Sequence, residues 1–209
     1  PSTLMQTNAD AAGSTNFSNT LTSLSNSLKT ATANSTVSVA NNKATFNAVA
    51  NNQGVAVFNL DNTTSASVFS VGEFSFAANG ASTIIINSSV SSAVIGANFL
   101  GGQAQSLGKS IVWNFYNATS LMINNQFGGS ILATHASLTN NQNIEGGVFV
   151  NSLTQNAELH LQSFTGNLAA VAPVPEPEQY LMMLGGLAIV IGVAALRRRR
   201  VALPGLRLA

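Results

Sequence analysis

The stretch from Ile111 to Leu153 reads IVWNFYNATSLMINNQFGGSILATHASLTNNQNIEGGVFVNSL, and it contains the same short phrase three times. Ile111-Val112-Trp113, Ser130-Ile131-Leu132 and Val148-Phe149-Val150 open the units, and Ser120-Leu121, Ser137-Leu138 and Ser152-Leu153 recur inside them. The spacing is about eighteen residues, and short apolar strands at such a period cannot bury their inward side chains alone, so each coil must stack on its neighbour. Gly128-Gly129 and Gly146-Gly147 precede two of the units, where a coil has to turn through dihedrals that glycine accepts most easily. Asparagine is abundant between the strands; it tolerates left-handed turns and its amide can form ladders from coil to coil.

Working outward, the period-two pattern continues upstream at Val37/Val39, Val55/Val57, Phe74/Phe76 and Ile84-Ile85-Ile86, each bounded by Asn, Gly or Ser clusters. Before Asn34 the period changes. Phe17, Leu21, Leu24, Leu28 and Ala31 are spaced by four, three, four and three residues, which predicts an amphipathic helix capped by Asn16 or Ser14, with one stripe that needs a partner surface. The expected fold is therefore mainly β: a parallel β-helix with one long N-terminal amphipathic helix alongside. An antiparallel β-sandwich is the alternative, with Asn41-Asn42 and Asn51-Asn52 as hairpin turns.

Composition narrows the function. The chain has no cysteine, which removes disulfides, thiolate metal sites and cysteine nucleophiles. Up to residue 173, three lysines (Lys29, Lys43, Lys109) face five acids (Asp10, Asp61, Glu73, Glu145, Glu158), a formal charge of −2. With no basic patch, nucleic acid is not an expected partner. The surface is polar through Asn, Ser and Thr rather than charge, which suits contact with water, sugars or other surfaces.

The last forty residues differ from the rest. Pro175 and Pro177 keep the segment around Glu176 extended. Tyr180 to Leu196 carries no charge and would make a helix of roughly 26 Å, close to the thickness of a hydrocarbon core. Arg197, Arg198, Arg199 and Arg200 end it and, by the positive-inside rule, place the C-terminus in the cytoplasm and the preceding domain outside. Pro-Glu-Pro, a short span and a terminal arginine cluster together resemble a PEP-CTERM sorting signal. That resemblance implies export in a Gram-negative bacterium, a transient inner-membrane lipid anchor, recognition of Pro175, Glu176 and Pro177 by an exosortase-type membrane protease, and delivery to the cell surface or extracellular matrix. Export in turn predicts a signal peptide upstream of Pro1.

The body carries a second resemblance. Ile111 to Leu121, Phe127 to Ala133, Ile144 to Leu153 and Phe164-Thr165-Gly166, with the leucines of the helix, are similar to the choice-of-anchor A domain. This covers roughly residues 17 to 168 and implies an adhesin with a β-helical fold. The expected organisation is 1–16 as a truncated segment, 17–168 as the domain, 169–179 as a Pro-rich linker, 180–200 as the transmembrane helix with its arginines, and 201–209 as a tail.

Catalysis, a metal centre and a cofactor are not expected. Glycosidase chemistry asks for two carboxylates about 5 to 10 Å apart, and the acids here are sparse; the two histidines, His135 and His160, fall short of a zinc ligand set. Glu158 and His160, two apart, would share a strand face and form a local pair. Ice binding would ask for a regular flat array of threonines, and Thr63-Thr64 and Thr139 form no rank. Alternation puts Trp113 and Phe115 inward and leaves Tyr116 as the possible ligand contact. The expected role is adhesion or matrix structure, with binding of exopolysaccharide as the alternative and a polysaccharide-cleaving enzyme behind it.

Overall fold

Strand pairing in this chain is set by hydrogen bonds to residues one circuit away, and the computed structural model, which describes residues 16–171, shows those circuits directly. The described residues are mainly β, with a curled parallel sheet, half-barrel in section, and three short helices. The only antiparallel pair among the described strands is β1 (Thr36–Ala40) with β2 (Lys43–Asn47). Asn41 and Asn42 make its two-residue turn with φ of 51° and 58°, the left-handed conformation asparagine tolerates. Asn51-Asn52 is not a hairpin. The Asn51 carboxamide accepts from the backbone N–H groups of Gln53 and Val55 and turns the chain through a corner.

From β2 onward every pairing is parallel. β2 lies beside β4 (Glu73–Ala77), which lies beside β7 (Asn98–Phe99). β10 (Phe127–Gly128), β12 (Ile144–Glu145) and β14 (Leu159–His160) form a second ladder. β3 (Val55–Leu60), β5 (Thr83–Ser88) and β8 (Ile111–Phe115) run in order to the first half of β11 (Ser130–Asn140). The second half of β11 carries β9 (Ser120–Ile123), which carries β6 (Ser92–Ile95). β11 is eleven residues long and bends between Ala133 and Ser137, so it joins two ladders into one curled sheet, and β13 (Val148–Gln155) follows it along the outer edge.

The later circuits run from 18 residues down to 15, at and a little below the expected repeat of about eighteen. Asn124 and Asn141 are linked across 17 residues, Asn141 and Asn156 across 15. Ser120, Ser137 and Ser152 stand in register, as do Leu121, Leu138 and Leu153. The strand openings sit one place off the expected alignment, with Trp113 beside Ile131 and Ile131 beside Val148. Earlier circuits are longer, with Asn59, Asn87 and Asn114 linked across 28 and 27 residues. Helices and turns account for much of that extra length. α2 (Asn62–Phe69) is capped by Asp61, whose carboxylate accepts from Thr64 N at 2.7 Å and is held below its ordinary pKa mainly by that bond. A 3-10 turn (Leu100–Gly102) and α3 (Gln103–Leu107) fill the third circuit.

Inside the curl, Phe46, Phe74, Phe115 and Phe127 gather round Trp113 and Phe58 packs edge-on against Phe46, all at 1 % exposure or less. Phe46 stacks on Phe76, its register partner, at 4.5 Å between ring centroids. The Trp113 indole N–H donates to Gly128 O at 2.8 Å. Gly129, at φ 109°, is required next to it: a Cβ there would stand 2.9 Å from both the Ile111 Cβ and the Trp113 Nε1. Gly146, one circuit on, would press a Cβ onto the Gly129 carbonyl.

The helix predicted from the leucine stripe is α1 (Phe17–Lys29), thirteen residues rather than a long helix, with Asn16 capping through Asn19 N at 3.1 Å. It packs on the outer side of the sheet, where Leu28 and Ala31 meet Val55, Val57, Ile85, Val112 and Leu132. Phe17 does not join that contact and is 56 % exposed. Among the described residues no helix is long and apolar enough to cross a membrane. The expected span Tyr180–Leu196, the Pro-Glu-Pro segment and the arginine cluster lie outside the described residues.

Candidate functional site

Alternation along β6, β9, β11 and β13 separates an inward row from two outward ones. Ala93, Leu121 and Leu138 share the inward-pointing register, continued by Leu153, which is exposed on the edge strand, while Ser92, Ser120, Ser137 and Ser152 form an exposed rank beside them. The second outward rank is Val94, Met122, Thr139 and Thr154. Parallel strands are about 4.8 Å apart, so each rank repeats a hydroxyl or methyl group at that interval along the stack. Ser152 Oγ donates to Ser137 Oγ at 2.9 Å. At the corner beyond, Asn156 Nδ2 donates to Asn141 Oδ1, and Asn141 Nδ2 to Asn124 Oδ1, both at 2.8 Å. The whole surface is uncharged. It offers donors, acceptors and small apolar groups in rows, with a shallow pocket at the Ser92–Val94 end lined also by Phe69, Ser70 and Val90.

A second asparagine ladder lies on the other side of the molecule, under α1. Asn59, Asn87 and Asn114 are register partners on β3, β5 and β8 and point outward at the helix. Asn114 Nδ2 donates to Asn87 Oδ1 at 2.8 Å and to Ser25 O at 2.9 Å; Asn87 Nδ2 donates to Asn59 Oδ1 and to Leu28 O, both at 2.8 Å. Asn59 Nδ2 reaches Ala31 O at 2.9 Å, and Ser25 Oγ donates to Asn114 Oδ1 at 2.6 Å. Each amide thus binds the next rung and the helix at once, which satisfies polar groups that burial would otherwise penalise.

Titratable groups meet at one place. Glu145, on β12, is 3 % exposed at its side chain and accepts from Gln126 Nε2 at 2.8 Å and Gln162 Nε2 at 3.2 Å, with His160 Nδ1 at 2.8 Å. His160 Nε2 lies 2.8 Å from Glu158 Oε2 on its other side. Burial raises the Glu145 pKa, but the hydrogen bonds from His160, Gln126 and Gln162 outweigh it and the net shift is downward. The hydrogen bonds to Glu158 and Glu145 raise that of His160. The expected Glu158–His160 pair is therefore present, and Glu145, fifteen residues away and one of the acids near the histidines in sequence, joins it through the stacking of coils.

Trp113 and Phe115 are core, as alternation implied. Tyr116 is partly buried, with the Lys29 ammonium 4.8 Å from its ring centroid, so one ring face is already engaged by a cation. Glu73 stands apart, in register with Lys43 and Asn98. Pro175, Glu176, Pro177 and Arg197 to Arg200 lie outside the described residues. The serine rank escaped the linear reading. Its signal was present in the Ser-Leu phrases, and Ser92-Ala93 joins them only once strand pairing is known.

A curled parallel sheet with ordered polar ranks on one face and a covering helix on another is a scaffold that presents a surface. In agreement, a family model described as "Putative Ice-binding-like adhesive domain" matches residues 2–161, and the chain belongs to that family. No curated protein and no solved structure matches it at a comparable level.

Proposed function

We propose that this chain is a non-enzymatic, exported adhesin whose curled sheet is a β-solenoid of the choice-of-anchor A type, sorted by an exosortase-type protease through Pro175, Glu176 and Pro177. Membership of an adhesive-domain family supports the adhesive role. The observation that carries it to a site is the exposed rank Ser92–Ser120–Ser137–Ser152 with the outward rank Val94–Met122–Thr139–Thr154 beside it, in which Thr139 is half-buried. Each rank makes weak contacts singly; rows of them on a rigid scaffold, displayed in many copies, add through avidity. Glu145, Glu158 and His160 are occupied with one another rather than lining a groove, which favours adhesion over polysaccharide cleavage.

The second reading, a module for exopolysaccharide, is favoured by the uncharged character of the ranks and by aliphatic Val94 and Met122 beside the hydroxyls, a mixture that suits the two kinds of surface on a neutral sugar ring. One experiment separates these readings and tests the site. The Ser120→Lys/Ser137→Lys double variant is expected to keep the parent melting temperature, since both positions are exposed, and to lose roughly tenfold or more of its adhesion to matrix-coated surfaces. Loss on deglycosylated matrix as well points to a protein or mineral partner; loss only where polysaccharide is present points to glycan. Unchanged adhesion would remove these ranks from the binding site.

A further inference from the structure

We infer that the recess at the C-terminal end of α1, lined by Lys29, Asn59, Leu60, Asp61, Asn87 and Tyr116, binds one neutral sugar ring of a glycan. Resting on the reading of this chain as an exopolysaccharide module, it adds a site that shares no residue with the serine rank. Several element ends converge there. Lys29 is the last residue of α1, Asp61 stands between β3 and α2 as the cap of that helix, and Tyr116 follows β8. Asn59 and Asn87 come from the ladder beneath α1.

The recess collects polar groups whose bonding is incomplete. The ladder from Asn114 through Asn87 stops at Asn59, whose amide donates to Ala31 O and accepts from Asn87 Nδ2. Its second N–H and second lone pair have no partner among the described residues. The Asp61 carboxylate accepts from Thr64 N, and two carboxylate oxygens have sites for further donors. Lys29 holds its ammonium 4.8 Å from the Tyr116 ring centroid, and among the described residues neither Lys29 nor Asp61 is in a salt bridge. A cation and a carboxylate that line one recess without closing on each other leave room for a ligand that bonds to both.

Charge and size then select the ligand. The two charges cancel, so the recess favours a ligand with none. Donors from Lys29 and Asn59 stand beside acceptors from Asp61 and Asn59, and a hydroxyl both donates and accepts. Neighbouring hydroxyls on one sugar ring can give protons to Asp61 while taking N–H groups from Lys29 and Asn59. Leu60 and the Tyr116 ring edge supply apolar wall for the C–H groups of the same ring. The volume of about 190 Å³ is below the roughly 300–1,000 Å³ that encloses a drug-sized ligand, so a single ring enters and the rest of the glycan stays outside.

Titration of the full chain in detergent with glucose, galactose and mannose tests this, read by NMR at the Asn59 and Asn87 side-chain amides and at the Tyr116 backbone. At least one of the three is expected to give a saturable shift with a Kd on the order of 1 mM. Asp61→Asn, which keeps a capping side chain, and Lys29→Met, which keeps the stem, are each expected to weaken that binding roughly tenfold or more, the worth of a hydrogen bond to a charged group. Ser120→Lys/Ser137→Lys is expected to leave it unchanged. No saturable shift with any of the three sugars, saturation by glycine in their place, or a wild-type Kd in both Asp61→Asn and Lys29→Met overturns the inference. The broader reading fails separately: sugar binding in the recess with adhesion indifferent to polysaccharide would remove the exopolysaccharide module and leave the recess standing.

Discussion

Asn114 shows how one side chain can be read correctly for direction and still be misjudged for its surroundings. Alternation with Trp113 and Phe115 points it away from the core, which for an asparagine suggests solvent. It is fully buried instead, because α1 lies over it and needs its amide. Asn114→Leu keeps similar bulk but strands Asn87 Oδ1 and the Ser25 hydroxyl, so it is expected to destabilise by about 1–3 kcal/mol. Asn156→Ala, at the exposed end of the corner ladder, is expected to stay within about 0.5 kcal/mol. Urea unfolding of both variants checks the contrast; equal costs would mean the buried ladder contributes little. The residue scale also explains the incomplete view of the Glu145 cluster. Glu158 and His160 lie two residues apart and were legible from spacing, whereas Glu145 joins them through pairing of β12 with β14.

At the scale of elements, the strands whose cores are apolar pairs were legible, and the short or polar ones, such as β7, β10 and β12, were not. Their existence depends on ladder partners supplied by other circuits. The two Asn-Asn dipeptides make the same point: identical in sequence, one closes a hairpin and the other turns a corner. Asn42 does more than turn. Its carboxamide accepts from Gly72 N at 2.9 Å, tying the β1–β2 hairpin to the start of β4. Asn42→Ala should therefore cost about 2–3 kcal/mol, from a left-handed backbone without asparagine's tolerance and from the lost bond. Asn41→Gly, which keeps the turn and touches no such bond, should be close to neutral. Chemical denaturation midpoints measure both.

For the whole molecule, the proposed route to the surface depends on residues beyond the described domain. Replacing Pro175 and Glu176 by alanine removes the proposed recognition element while leaving the apolar run and the arginines in place. The expected result is full-length protein retained in the inner-membrane fraction, read by fractionation and immunoblotting; undiminished release to the surface would refute the sorting reading. The adhesive ranks are a property of this scale too, because no single circuit contains more than one member of each rank.

The amino-acid order alone determined the β-rich class, the stacking period of the later circuits, the glycine corners and the amphipathic helix. These follow from side-chain alternation and local backbone preference, which act over a few residues. Only the tertiary structure decided that early circuits are longer, that serines from four strands form one exposed line, that asparagines bind the helix, and that Glu145 completes the imidazole's surroundings. Those features depend on which residues lie opposite each other across 15 to 28 positions. That choice is made by the aromatic core and the inserted helices together, through packing that no local window contains.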